Sequence, residues 1–252
     1  MNETKAYIER IKRVNRDYQQ LELAVDPSLS NMRAGQAVLA RFLDKDYEIE
    51  KWDPYLRELW FPVEIVANNK IIVERPAKVQ YIPGQLLSLL GPVGQPFRFR
   101  RSLRNILLMV YHTPPSSLLM MLKPLLANQV SVTMVLMGTA KDYDTQHLQE
   151  EIEIVRAEDD LTWPDMVMTL GWADQVFVLV GQGDELSYFA QVMELIGERR
   201  NDIPANYIFG VFQNVLPCGV GACNACMLKM TEGTKLQCID GPAFDLTTVK
   251  LV

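Results

Sequence analysis

Cysteine is absent from residues 1–217 of this 252-residue chain, and all four cysteines follow. A disulfide framework spread through the fold is therefore excluded. Histidine is nearly absent as well: His112 and His147 stand far apart, and no Ser-His-Asp or paired-carboxylate arrangement stands out. Neither histidine is assigned a catalytic role, since placement at the surface or in the core accounts for both. Long apolar runs are missing, with stretches such as residues 176–180 far short of the ~20 residues a membrane helix needs. The opening MNETKAYIERIKRVNRDY is charged throughout and lacks the apolar centre of a signal peptide, so a cytoplasmic location is expected. Positive charge is in deficit, with 25 Lys and Arg against 31 Asp and Glu, a net charge of -6 and a pI near 5.1. A nucleic-acid partner would require a basic surface that this composition does not supply. Partners are expected to be proteins and small molecules.

What is present is an ordinary globular composition, 48% apolar and 22% charged, in a chain long enough for two domains and a small appendage. In residues 5–100 the runs YIERIKRV, YQQLELAV, AVLARFL, FPVEIVA, IIVERP and LLSLLG are broken by Asp26-Pro27, Asp53-Pro54, Asn68-Asn69 and Pro83-Gly84. Short strands with regular turn signals and no long helical period predict an all-β domain over 1–100, an antiparallel barrel or sandwich. From residue 104 the pattern changes to continuous apolar strands separated by amphipathic segments, among them NILLMVY, SVTMVLM, QVFVLVG and YIFGVFQ. Uniformly apolar strands are those of a parallel sheet with helices on both faces, so 101–213 is expected to be a doubly wound α/β domain. The twelve methionines are read as core filler, and Glu150-Glu151 and Asp159-Asp160 as solvated charges.

The remaining segment, 214–252, is dominated by glycine, cysteine and small residues and is too short for a core of its own. A metal centre organises such a segment because it binds only the folded arrangement of ligands. The thiols of LPCGVGACNACMLKMTEGTKLQCIDGPAF, Cys218, Cys223, Cys226 and Cys238, are spaced C-x4-C-x2-C-x11-C. The first two spacings are those of the plant-type 2Fe-2S ferredoxin loop. Gly219 and Gly221 permit backbone angles that bring amide N–H groups toward inorganic sulfide. A four-cysteine zinc site uses two separated C-x2-C pairs, and only Cys223 and Cys226 form one here. Two disulfides would need an oxidising compartment. A 2Fe-2S cluster carries one electron at a time, so single-electron transfer is the expected function, with a structural metal site as the alternative.

The run CGVGACNAC followed by CIDGPAF, behind a barrel and a doubly wound domain, resembles the electron-transfer subunit of the two-subunit, NAD-linked dihydroorotate dehydrogenases, a branch of the ferredoxin reductase superfamily. Ala34-Gly35-Gln36 and Gly91-Pro92-Val93-Gly94 with Phe97 are similar to further motifs of that family. The resemblance implies a barrel that binds FAD, an α/β domain that binds NADH, and a cluster that relays electrons to the flavin of a catalytic partner.

Against the family's flavin signature, Asp53-Pro54-Tyr55-Leu56-Arg57 keeps the approach and the arginine, so Arg57 is the candidate for pairing with the FAD pyrophosphate. A surface charge near Asp53 accounts for Arg57 equally well. The serine expected after it is replaced by Glu58-Leu59-Trp60-Phe61-Pro62, and the second flavin element, a Gly-Thr turn, by Glu74-Arg75-Pro76-Ala77-Lys78. The NADH signature is a glycine-rich turn after the first α/β strand, whose N–H groups cradle pyrophosphate. Here that strand, 105–110, runs into Tyr111-His112-Thr113-Pro114-Pro115-Ser116-Ser117, without glycine and with two prolines that carry no N–H. Ser116-Ser117 reads as a helix cap, as does Asp184 after Gly181-Gln182-Gly183.

The expectation is therefore a β-barrel, a nucleotide-binding-type α/β domain and a 2Fe-2S segment. Together they form an electron-transfer subunit that works with a catalytic oxidoreductase subunit carrying flavin or iron-sulfur. FAD is left open and NAD(P)H binding is not expected. Two alternatives stand: a complete FAD-containing, NAD(P)H-dependent reductase subunit of the dihydroorotate dehydrogenase type, and a non-redox scaffold with a structural metal.

Overall fold

The computed structural model describes residues 2–43, 56–157, 161–200 and 202–251. Asp53, Pro54 and Tyr55 of the flavin-like approach, and Asp159 and Asp160, lie outside the described residues.

The N-terminal strands are β1 (Asn2–Arg13), β2 (Tyr18–Ala24), β3 (Ala37–Phe42), β4 (Glu58–Trp60), β5 (Pro62–Val66), β6 (Lys70–Pro76) and β7 (Leu86–Val93). They form one antiparallel sheet in the order β4-β3-β7-β1-β2-β6-β5. The two edge strands are separated in the chain by Phe61 alone, so the sheet curls on itself and the chain forms the seam of a barrel. Alternation drives the burial: in β2, Gln19, Leu21 and Leu23 point inward and their neighbours outward. Leu21, Leu23, Ile71, Leu87, Leu89 and Trp60 fill the interior. The run FPVEIVA, expected as a single strand, is preceded by a further strand at Glu58–Trp60. The chain bends at Phe61 into two, because Trp60 turns into the barrel core.

The second sheet holds β8 (Asn105–Tyr111), β9 (Ser131–Met137), β10 (Glu153–Arg156), β11 (Gln175–Val180) and β12 (Ile208–Val211), all parallel, in the order β10-β9-β8-β11-β12. Helix α1 (Ser116–Ala127) covers one face, where Ile106, Leu108 and Val110 meet Leu118, Met121 and Leu122. Helices α2 (Met166–Trp172) and α3 (Glu185–Arg199) cover the other, against Leu107, Met109 and Val178. Both faces are sealed, which is why these strands are apolar throughout. The strand order reverses between β8 and β11, so the crevice at their carboxyl ends is the ligand position of this architecture.

The cysteine-bearing tail adds a hairpin, β13 (Met227–Lys229) with β14 (Thr234–Leu236), the single turn α4 (Gln237–Asp240), and β15 (Ala243–Asp245). β15 pairs antiparallel with β12 as the sixth strand of the α/β sheet, and Leu228, Phe244, Leu246 and Val249 join its core. Apolar burial therefore anchors the tail alongside whatever its thiols bind. Among the described residues no helix is long and apolar enough to cross a membrane.

Candidate metal centre

The cysteine loop lies between the two sheets. Leu216, Cys226 and Cys238 pack against Leu39 and Val93 of the barrel, with Leu59, Leu90 and Leu236 around them. Gly94 N–H donates to the Cys238 carbonyl at 3.0 Å and the Gln95 side chain to the Ile239 carbonyl at 2.9 Å. On the other side Phe212 N–H donates to the Pro242 carbonyl at 3.0 Å. The loop is therefore held from both directions by backbone hydrogen bonds and apolar packing.

Among the described residues no three or more His, Cys, Asp or Glu side chains converge as the ligands of one ion. The thiols pair instead. Cys226 and Cys238 are buried with their sulfurs 3.3 Å apart, and the exposed Cys223 is hydrogen-bonded to the half-buried Cys218. Two pairs suit two iron ions with two thiolates each and do not suit one tetrahedral zinc.

The backbone around the loop is built for negative charge. The N–H groups of Cys223, Val220 and Ala222 point at the Cys218 sulfur and hold its thiol down at about 6, well below an ordinary cysteine. The Gly221 N–H does the same for Cys238, but burial, with the neighbouring Cys226 thiol, pushes that group up to about 12. Bound iron would take both as thiolates, as metal coordination does. Two glycines make the turn possible. Gly219 has φ +67° and a Cβ there would lie 2.4 Å from a Leu39 methyl, while Gly221 has φ +74°. The residues present therefore fit a 2Fe-2S cluster, which would supply one-electron chemistry.

The positions that match the flavin signature are engaged inside the protein. The Arg57 guanidinium is 11% exposed, bonding Glu3 at 2.6 Å and both the carbonyl and hydroxyl of Ser88 at 2.9 Å. Its side chain is thus largely buried and engaged by groups of β1 and β7. Trp60 is buried among Phe42 and Tyr81, its indole N–H donates to Glu58 at 2.9 Å, and Glu58 pairs with Arg75, which lies 4.8 Å over the Trp60 ring. Leu59 and Phe61, on the opposite face of the same segment, meet Phe212 and Leu216. The space left where barrel, β12 and cysteine tail converge is about 10 Å³, enough for a single water. Among the described residues, the charged groups at these positions are paired within the chain itself.

The β8–α1 turn is likewise closed. His112 takes φ +55°, its ring packs on Tyr111 at 4.0 Å and accepts the Thr139 N–H at 3.2 Å. The expected helix caps are absent. Pro115 stands at the N-cap of α1, and the Ser116 hydroxyl donates to Glu74 of β6 at 2.5 Å. Asp184 makes no side-chain cap bond at α3 either. The first residue of α3, Glu185, turns inward to accept the Gln213 N–H at 2.7 Å, and burial pushes its carboxyl up to about 7. His147 is half-buried beside Glu74, in a cluster that no sequence motif announces because Ser116, Tyr143 and His147 lie 42, 69 and 73 residues from Glu74 along the chain.

Residues 213–250 match the family model for the iron-sulfur cluster binding domain of dihydroorotate dehydrogenase B. A curated relative from Clostridium perfringens, the electron transfer subunit of dihydroorotate dehydrogenase B (NAD(+)), is 24% identical over 165 residues, 65% of this chain and 66% of that protein. The alignment thus spans slightly less than two thirds of that relative. Among solved structures, one of an NADH-dependent reduced ferredoxin-NADP oxidoreductase, studied for flavin-based electron bifurcation, superposes with a TM-score of 0.71 at 18% identity, covering 97% of this chain and 89% of that one. Phthalate dioxygenase reductase, described as modular for electron transfer from pyridine nucleotides to [2Fe-2S], gives 0.56 at 11% identity over 89% of this chain and 71% of its own. The cysteine segment is an iron-sulfur cluster-binding domain, and the two large sheets carry the ferredoxin reductase fold.

Proposed function

We propose that this chain is an electron-transfer subunit of an oxidoreductase complex. In this reading Cys218, Cys223, Cys226 and Cys238 hold a 2Fe-2S cluster that is the chain's own redox centre. The observation that carries it is the division of the thiols into a buried pair and a solvent-facing pair within one amide-lined loop. The Cys218–Cys223 edge exchanges electrons with a docked catalytic subunit that carries flavin or iron-sulfur, and the exposed Val215, Val220, Met227 and Ile239 flank the loop as its contact surface. The division of labour follows the three segments: 1–100 and 101–213 as a docking scaffold, 214–252 as the relay. Free thiols kept for metal fit the reducing cytoplasm. A dihydroorotate dehydrogenase partner is the specific version of this reading, supported by the matched family model.

Anaerobically purified protein tests it. Two irons and two sulfides per chain with a rhombic EPR signal on reduction are expected. Zinc with no such signal would end the electron-transfer reading. Stoichiometric flavin released on denaturation, bleached by NADH before that, would replace it with a complete reductase.

A further inference from the structure

The helix that follows the first strand of a doubly wound sheet presents free N–H groups and a positive dipole end toward the crevice, and dinucleotide pyrophosphates bind there. In this chain that helix is α1, and a buried carboxyl group of the barrel is bonded to the hydroxyl of its first residue. Glu74, on β6 of the barrel, has a fully buried side chain. Its Oε1 accepts the Ser116 hydroxyl at 2.5 Å, at the first residue of α1. The Tyr143 hydroxyl reaches both carboxylate oxygens, at 2.9 and 3.0 Å. His147 Nε2 lies 3.6 Å from Oε2 and 3.1 Å from the Tyr143 oxygen. Tyr18 of β2 packs on the Tyr143 ring at 5.2 Å. Burial first, and then the Glu74 charge, push the Tyr143 phenol far up, so it stays protonated and remains a donor.

We propose that Glu74 is an internal substitute for a dinucleotide: its carboxylate takes the anion position at the N-terminus of α1, so the crevice does not admit NAD(P)H. The arrangement joins three separate stretches, β6, the start of α1 and the segment after β9, into one buried hydrogen-bonded unit. A bound dinucleotide would have to displace a carboxylate with three or four partners and place its own charge beside it, a like-charge pair in a dry site. The loop that would compensate has prolines at 114 and 115 in place of donors. The same unit fixes the barrel against the α/β sheet, so electrons from a pyridine nucleotide reach the cluster through a partner. This inference is independent of whether the thiols hold iron.

Titration of the full cluster-loaded chain with NADH and NADPH, followed by nucleotide fluorescence, is expected to show no saturable binding up to about 1 mM, the weak end of the affinity range. Saturable binding at one nucleotide per chain overturns the proposal. In Glu74→Ala the missing fragment is acetate. Acetate is expected to raise the variant's melting temperature by several degrees over chloride at equal ionic strength, and to leave the wild type and Glu74→Gln unmoved. An equal response in all three overturns the assignment of an anion position. The wild-type titration decides the matter even where Glu74→Ala does not fold. Iron content and EPR signal are expected to be unchanged in Glu74→Gln, so loss of the cluster reading and loss of this one are told apart.

Discussion

Two tight turns face the junction of barrel and α/β sheet, and they treat negative charge in opposite ways. The cysteine loop aims the N–H groups of Val220, Ala222 and Cys223 at one sulfur and leaves the Cys218–Cys223 edge open to solvent. The β8–α1 turn has prolines where donors would stand, and the hydroxyl at the start of its helix is bonded to the chain's own Glu74. Both lie on the same scaffold. At the first turn the donors are backbone N–H groups left to serve sulfur, and at the second the helix-starting hydroxyl is already held by a buried carboxyl group.

The largest effect that would sharpen this contrast is at the thiols. Cys238→Ser is expected to abolish cluster assembly, read as iron and sulfide falling to near zero, because the buried pair then leaves one iron with a single thiolate. Cys223→Ser, at the exposed edge, is expected to retain some iron with a shifted EPR signal, and equal loss in both variants would contradict the inner and outer division.

The second effect concerns Glu185, the carboxylate at α3 that bonds Gln213 at the entrance to the cysteine tail. Burial raises its carboxyl from 4.5 to about 7, worth about 3 kcal/mol at most. The folded state then holds a proton that the unfolded chain has released. The contribution is complete below about pH 4.5 and declines as pH rises, until it is lost above about pH 7. Urea denaturation at a series of pH values is expected to show that decline in the wild type and not in Glu185→Gln. A wild-type stability that rises from pH 5 to 7 with the same slope in the variant would refute the assignment.

Gly219→Ala should cost roughly 1–2 kcal/mol for its left-handed backbone, with more from the clash with Leu39 and a lower cluster yield. Gly233→Ala is the control, since its φ is +77° but nothing lies within 4 Å of the added carbon. Matching losses in melting temperature would mean that the barrel does not press on the loop. The smallest effect is expected at Arg57→Ala, about 1 kcal/mol from its bonds to Ser88 and the half-exposed Glu3, with no change in flavin content. A bound flavin that this variant releases would restore Arg57 to its signature role.

Much of this molecule was legible one residue at a time. Short runs between regular turn signals marked the barrel strands and uniform apolarity the buried parallel strands, because a chain reversal and a strand sealed on both faces each leave a local pattern. The spacing of Cys218, Cys223, Cys226 and Cys238 indicated a cluster because a tight loop delivers its ligands locally. The absence of glycine between Tyr111 and Ser117 was equally plain. The strand at Glu58–Trp60, the pairing of β15 with β12 and the missing caps at α1 and α3 were not visible, since each is decided by what packs against the segment.

The sequence by itself determined the fold class and the cluster loop, and it showed that the dinucleotide motifs are eroded. The tertiary structure alone decided what took their place. Glu74, Ser116, Tyr143 and His147 carry no spacing that would suggest a common site, and Arg57 still looks like a phosphate ligand in the chain. Their partners come from other strands, and a hydrogen bond between distant residues leaves no local pattern to read.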